Sequence, residues 1–516
     1  MAQFKILIVG AGPTGLALAL HLARHGTAFR IIDQASGPGQ ASRAMAVQAR
    51  TLEFYRQLGF ADELVELGIK MERLHLREGG HDVANLAFRD LGGGLSPYPF
   101  MLCFPQDDHE HFLVKKLQAA GVKVEWGVAL KQFTQDEAGV HAILDSNGAL
   151  ETCDFAYLCG CDGAHSRVRQ GLQLAFPGGT YDQLFYVADV KLARSTGNEM
   201  FANLSQDGFV LMLPVRSSGM KRLIGLVPKE FSNQASLAFE DIRTSTEAIL
   251  GIQVTQVNWF STYHVHHRVA ERFSDGRCFI AGDAAHIHSP AGGQGMNTGI
   301  GDAVNLSWKL AQVLAGRADP AILATYETER IAFARTLVAT TDRAFQGMVG
   351  AGRGSQFLRT WLVPHLMPFL TGFSAVRHLI FKTVSQVSIS YQASALSAGK
   401  AGQVHGGDRL PWVDAPEGDN FAPLQSLDWH LQIYGQADRG LLETAAALRL
   451  PVHVFVWGNA ADAAGMQCDA AYLVRPDGYV ALVQSEQSAS RLRDFVQRLG
   501  LKFSGLANGV NGPKPF

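Results

Sequence analysis

The chain alternates short apolar runs with glycine-rich breaks. Phe4-Lys5-Ile6-Leu7-Ile8-Val9 is rich in β-branched residues; Gly10-Ala11-Gly12-Pro13-Thr14-Gly15 follows, and then the nearly continuous apolar stretch Leu16 to Ala23. This order predicts strand, tight turn and helix. A second run, Phe29 to Ile32, ends on Asp33. Further on, Tyr157-Leu158-Cys159-Gly160-Cys161 runs into Asp162-Gly163, and Cys278-Phe279-Ile280-Ala281 runs into Gly282-Asp283. The second of these continues through Gly292-Gly293-Gln294-Gly295-Met296-Asn297-Thr298-Gly299 to a predicted helix from Ile300 to Leu314. Between them, Leu184–Val187, Phe209–Leu213 and Leu223–Val227 read as strands of an antiparallel sheet. Residues 345 to 395 read as helical, and Gly399 to Pro411 as a glycine-rich turn or linker. Strands are then expected at Leu431–Tyr434, Val452–Trp457 and Ala471–Val474, a hairpin at Arg475-Pro476-Asp477-Gly478-Tyr479-Val480 and a helix near Ser488 to Leu499.

At 516 residues, and about 100–200 residues per domain, the chain should fold as two to four domains. Its 47% hydrophobic and 18% charged residues suit packed cores. A net charge of −2 provides no dominant basic field for a nucleic acid. The six cysteines are scattered without a CxxC pair, which points to a reducing, cytoplasmic setting. The apolar start lacks a secretory cleavage site, and Phe357 to Phe381 is broken by Pro364, Pro368, Gly372 and Arg377, which makes it a poor bilayer span.

The first glycine pattern carries chemistry as well as geometry. Gly10 allows the turn, Gly12 lets backbone approach a pyrophosphate, and Gly15 lets the helix pack on the strand, while Pro13 and Thr14 open a helix whose N–H groups face the phosphates. Asp33, 18 residues after Gly15 and followed by Gln34, suits an adenosine ribose. This stretch alone does not separate NAD from FAD. His264, His266 and His267 invite a metal reading, but on a strand His267 points away from the other two, so no metal site is expected.

Taken in order, the three glycine-containing stretches resemble the single-component, class A FAD-dependent aromatic hydroxylases of the p-hydroxybenzoate hydroxylase fold, with motifs specific to about residue 345 and a looser likeness beyond. The resemblance implies an α/β fold: a Rossmann-like FAD-binding domain from 1–74, 106–175 and 271–345; an inserted antiparallel-sheet substrate domain from 75–105 and 176–270; a helical connector, 346–398; and a thioredoxin-like C-terminal domain, 399–516. It implies that Asp162 lies near the FAD pyrophosphate and the path of NAD(P)H, that Asp283 accepts from a ribityl hydroxyl, and that Arg43, Gln48 and Gln106 meet the flavin or its phosphates. Pro290 is implied on the flavin's reactive side, and Gly293, Gly295, Met296 and Asn297 at its pyrimidine edge. Many relatives carry Glu where this chain has Asp33. Arg43 and Pro290 are candidate catalytic residues, with His266 a candidate substrate-side acid or base.

The activity implied is hydroxylation of a phenolic or aromatic small molecule with NAD(P)H and O2 through a flavin C4a-hydroperoxide. Baeyer–Villiger oxidation, epoxidation and antibiotic-modifying oxygenation are alternatives on the same scaffold. A non-catalytic FAD-binding regulator is a rival from another class. Halogenation is disfavoured because no Trp-x-Trp-x-Ile-Pro segment is present. No nucleic-acid partner and no membrane span are expected, and a homodimer is left open. The C-terminal domain has no paired thiols for redox work.

Overall fold

The computed structural model describes residues 4–39, 44–78, 81–87, 91–205, 208–215, 219–231, 234, 236–289, 293–349, 354, 357, 362, 366, 369–415 and 418–504. Arg43 and Pro290, both expected in the site, lie outside these described residues.

The first sheet explains why motifs far apart in sequence act together. Its six strands run in the order Ser274–Asp275, Cys278–Ile280, Tyr157–Gly160, Ile6–Val9, Phe29–Asp33 and Glu125–Trp126. Ile6–Val9 pairs in parallel with both Phe29–Ile32 and Tyr157–Gly160, and the latter pairs in parallel with Cys278–Ile280. The three strands that precede the three glycine turns are therefore neighbours, and all three turns leave the sheet at one end. In open α/β sheets that carboxyl end is where ligands bind. The three central strands Ile6–Val9, Tyr157–Gly160 and Cys278–Ile280 read as continuous apolar runs because both faces are covered, and Ile6, Leu7 and Ile8 are fully buried.

A second sheet of eight strands is ordered His286–Ile287, Val254–Val269, Gly178–Leu192, Lys221–Leu226, Gly208–Pro214, Met200–Ser205, Arg73–Glu78 and His81–Ala87. The antiparallel expectation holds for every pairing but one: Met200–Ser205 lies parallel to Arg73–Glu78. These two strands come from distant parts of the chain, so no hairpin forces them to run oppositely. At the other edge, Val269 pairs with His286, which ties this sheet to the third motif.

The C-terminal sheet has the order Val452–Phe455, His430–Tyr434, Ala470–Val474, Val480–Gln484, with the first pair parallel and the others antiparallel. Helices Arg439–Ala447 and Ala489–Arg498 accompany it. The strands expected from the apolar runs at Leu431–Tyr434, Val452–Trp457 and Ala471–Val474 are all present in this sheet. Among the described residues, no helix is long and apolar enough to cross a membrane.

Candidate functional site

At the end of the first sheet, backbone meets backbone at distances that only glycine permits. Gly10 sits at φ 100°, and a Cβ there would lie 2.3 Å from the Cys161 carbonyl oxygen; one on Gly15 would lie 1.9 Å from that of Gly10. Gly12 differs. Its backbone is extended, with φ −73° and ψ −176°, and a Cβ would meet no atom within 4 Å. Space is kept open above Gly12, at the head of helix Pro13–Arg24, whose N-terminus receives no side-chain cap from Gly12. Asp33 steadies this turn, accepting from Ala11 N at 2.7 Å and from Ala35 N at 2.8 Å. Gln34 beside it is exposed.

The carboxylate of Asp162 is engaged locally. Oδ1 accepts from Ser166 Oγ at 2.5 Å, and Oδ2 from the amides of Arg167 and Val168 at 2.6 and 3.1 Å. Ser166 in turn caps helix Arg167–Gly171 by accepting from Arg169 N. The side chain of Asp162 therefore shapes the turn, leaving backbone groups as the means by which it can meet a ligand.

At the third motif the helix starts earlier than the apolar pattern suggests. It runs from Gly295 to Leu314 and takes Gly295, Met296 and Asn297 into its first turn. The early start has a tertiary cause. Asn297 is buried, and its Oδ1 accepts from Gln48 N (2.9 Å) and Thr51 Oγ1 (2.8 Å) while its Nδ2 donates to the carbonyls of Ala46 (2.8 Å) and Gly293 (2.9 Å). With all four hydrogen-bonding positions of this side chain filled, the amides of the turn are the groups left to face a cofactor. Gln294, the N-cap residue, makes no side-chain cap. The helix crosses Pro13–Arg24 closely, because a Cβ on Gly299 would stand 2.3 Å from Thr14 Oγ1 and one on Gly282 2.5 Å from it. The Asp283 side chain is exposed next to Gly282.

Gln106 opens helix Gln106–Ala119, accepts from Ala44 N at 3.3 Å and donates to Glu110 Oε1 at 2.9 Å. Glu110 also accepts from Gly39 N at 2.8 Å. Burial raises its carboxyl above the ordinary range. Sequence reasoning missed Glu110, and the only available signal was its position one helical turn after Gln106.

Other groups missed in the sequence hold the third motif from behind. Asp302, fully buried, accepts from Gly282 N at 3.0 Å, pairs with His286 Nε2 at 2.7 Å and with Arg330 Nε at 2.6 Å. The nearby Arg330 and His286 hold its carboxyl below the ordinary range against its own desolvation. His109 receives or donates a 2.8 Å bond with Tyr55 and places Nδ1 3.4 Å from Met296 Sδ. His288 Nε2 is buried without a hydrogen-bond partner among the described residues, about 3.7 Å from where a Gly295 Cβ would stand.

The expected substrate-side acid or base is not in this constellation. His266 is exposed on strand Val254–Val269 and bonded to Thr180 Oγ1 at 2.7 Å. On a β-strand its side chain is directed away from the covered face that Val265 occupies. His267 lies against the Tyr181 ring, with centroids 4.8 Å apart. An apolar cavity opens elsewhere, lined by Gln48, Leu91, Met101, Ile380, Phe381, Val384 and Ser385.

The site fits an FAD. There is open space above Gly12, two helix N-termini present amides at the end of one sheet, and the unpartnered His288 Nε2 lies beside the Gly295 turn.

Comparison with known proteins agrees. Residues 3–341 match the family described as FAD binding domain, and residues 407–500 match the one described as aromatic-ring hydroxylase, C-terminal. The chain is 35% identical to 6-methylpretetramide 4-monooxygenase of Streptomyces rimosus over 410 residues, covering 77% of this chain and 71% of that protein. It is 33% identical to pentachlorophenol 4-monooxygenase of Sphingobium chlorophenolicum over 362 residues, 68% of this chain and 66% of the other. Among solved structures, anhydrotetracycline hydroxylase from Streptomyces rimosus superposes with a TM-score of 0.76 at 27% identity, covering 97% of this chain and 99% of that one. Aklavinone-11 hydroxylase in complex with FAD and aklavinone shares the fold, with a TM-score of 0.79 at 23% identity over 97% of this chain and 99% of that one.

Proposed function

The chain belongs to the FAD-dependent aromatic-ring hydroxylases, and from that premise we propose that it is an NAD(P)H-dependent monooxygenase acting on a phenolic or fused-ring aromatic substrate. The observation that carries this reading is the convergence of the three glycine turns at one end of the first sheet, with Gln48 beside the third of them. The backbone amide of Gln48 is held by Asn297 in the flavin-edge turn, and the residue also lines the apolar cavity with Leu91, Met101, Ile380, Phe381 and Val384. That crevice measures about 20 Å³, so it adjoins the flavin-edge turn without itself holding an aromatic ring.

FAD, when bound, supplies the electron transfer and O2 activation that amino-acid side chains lack. The chain's own contribution is positioning. Amides of Gly295, Met296 and Asn297 face the pyrimidine edge, where the helix dipole favours negative charge. Gly12 admits the pyrophosphate, Asp33 is the acid toward the ribose, and Asp283 is the acceptor toward the ribityl chain. Arg43 toward the flavin phosphates and Pro290 on the reactive side complete the assignment. Apolar residues at the cavity exclude water, which would otherwise divert oxygen to H2O2. Only one dinucleotide fingerprint occurs in the sequence, so NAD(P)H acts as a visiting reductant.

The test is rapid-mixing reduction of the purified enzyme by NADH and NADPH across a panel of halogenated phenols and fused-ring phenolics, with mass analysis of products. A substrate is expected to accelerate flavin reduction and to yield a product one oxygen heavier. If no compound changes the reduction rate and all O2 returns as H2O2, the hydroxylase assignment fails for this substrate class.

A further inference from the structure

The connector reaches the flavin-edge turn through a residue with an uncommon backbone. Helix Ser374–Val384 ends at Ser385, whose carbonyl accepts from Arg50 N at 3.2 Å. The next residue, Gln386, is buried and adopts φ 60°, the left-handed region that non-glycine residues seldom occupy. Its side-chain amide donates to Thr298 Oγ1 at 2.8 Å and lies 3.4 Å from the Gln294 carbonyl oxygen. Thr298 Oγ1 itself donates to that same carbonyl at 2.9 Å. Gln386 therefore grips both ends of the turn that carries Gly295, Met296 and Asn297.

Glycine would take this backbone without strain, so a glutamine here is held against a conformational cost. What the glutamine adds is the amide donor. The residues just before it, Ile380, Phe381, Val384 and Ser385, form one wall of the apolar cavity. A seven-residue segment thus presents a wall to the cavity and a clamp to the cofactor turn.

We propose that Gln386 is a positioning residue for the flavin: it fixes the turn Gln294–Thr298 so that its amides stay aimed at the pyrimidine edge, and it ties that edge to the segment lining the cavity. This rests on the reading that the pyrimidine edge lies at this turn. Aimed donors stabilise the anionic reduced flavin, so a loosened turn makes the cofactor harder to reduce.

Gln386→Gly removes the donor while relieving the backbone, and Gln386→Asn keeps a residue tolerant of the left-handed region but shortens its reach. In the full-length protein both should leave apoprotein melting unchanged or raised, weaken FAD binding about five- to tenfold, as expected for one lost hydrogen bond, and shift the flavin midpoint potential to more negative values. Wild-type FAD affinity and potential in Gln386→Gly would overturn the proposal; should that variant not fold, the same result in Gln386→Asn would do so. Asn297→Ala serves as the comparator. If it alters the potential and the Gln386 variants do not, only the clamp role fails; if neither has any effect, the flavin edge does not lie at this turn.

Discussion

Arg475 and Glu329 meet in a two-bond ion pair, Nη1 to Oε1 at 2.7 Å and Nη2 to Oε2 at 2.9 Å, with neither side chain exposed to solvent. Arg475 belongs to the C-terminal hairpin, and Glu329 to the helix Ala324–Val349 that precedes the connector. Around them, Lys309, Asn305 and Ser394 donate to Glu329, and Asp477 completes the environment of Arg475. Arg409 binds Glu53 in the same buried layer. The C-terminal sheet is thus joined to the cofactor-binding body by buried charges as well as by apolar packing.

Breaking that pair should be costly because the remaining charge has no solvent to turn to. Arg475→Met is expected to lower unfolding stability by about 3–5 kcal/mol. Denaturant unfolding read by tryptophan fluorescence measures it, and a loss below about 1 kcal/mol, the range of exposed pairs, would contradict the buried-network account.

Gly12→Val separates cofactor binding from folding. Its side chain meets open space and its backbone is ordinary, so apoprotein stability should be near wild type while FAD binding is lost. Gly15→Val should fail to fold, because its Cβ would overlap the Gly10 carbonyl. Asp283→Ala should weaken FAD without abolishing it, by removing one acceptor. Flavin absorbance after desalting, beside circular dichroism melting, distinguishes the three, and full FAD occupancy in Gly12→Val would refute the assignment.

Acid should destabilise the fold through three buried imidazoles. Burial pushes His21, His109 and His430 from 6.5 down to about 3. Each stays neutral in the folded chain while the unfolded chain takes up a proton. Their contribution is complete above about 6.5 and is lost as pH falls from there toward 3. His109→Gln, which keeps a partner for Tyr55, should show a shallower loss of stability with acid over that window; an unchanged acid limb would sink this account.

Cys468→Ser should leave turnover within about twofold of wild type, a change under roughly 0.5 kcal/mol in barrier. The thiol is exposed, in the turn just before strand Ala470–Val474, and the sequence after residue 399 holds no second cysteine. A large fall in kcat with folding intact would assign that domain a redox role after all.

Much of this architecture was legible because local rules carry it. The three apolar runs ending in Gly10, Gly163 and Gly282 predicted strands and tight turns, and the strands after residue 399 could be read from their apolar runs. Asp162 illustrates the limit. Its position in a turn was readable, but the engagement of its carboxylate with Ser166, Arg167 and Val168 depends on how the turn folds back. The early start of helix Gly295–Leu314 was likewise hidden, since glycine and asparagine argue against helix, while bonds from Asn297 to the Gln48 segment and from Gln386 to Thr298 hold it.

From sequence alone came the residue types that a dinucleotide, a ribose and a flavin edge require, and the absence of paired thiols. Tertiary structure decided which of those residues use their side chains on one another, set His266 exposed against Thr180, and placed Glu110 beside Gln106, Asp302 and Arg330 behind Gly282, and Gln386 against Thr298. The reason is physical. A glycine turn or an apolar alternation is dictated by the backbone within a few residues, whereas the partner of a buried polar group is found across the fold, 28 residues away for Arg330 and Asp302 and 88 for Gln386 and Thr298.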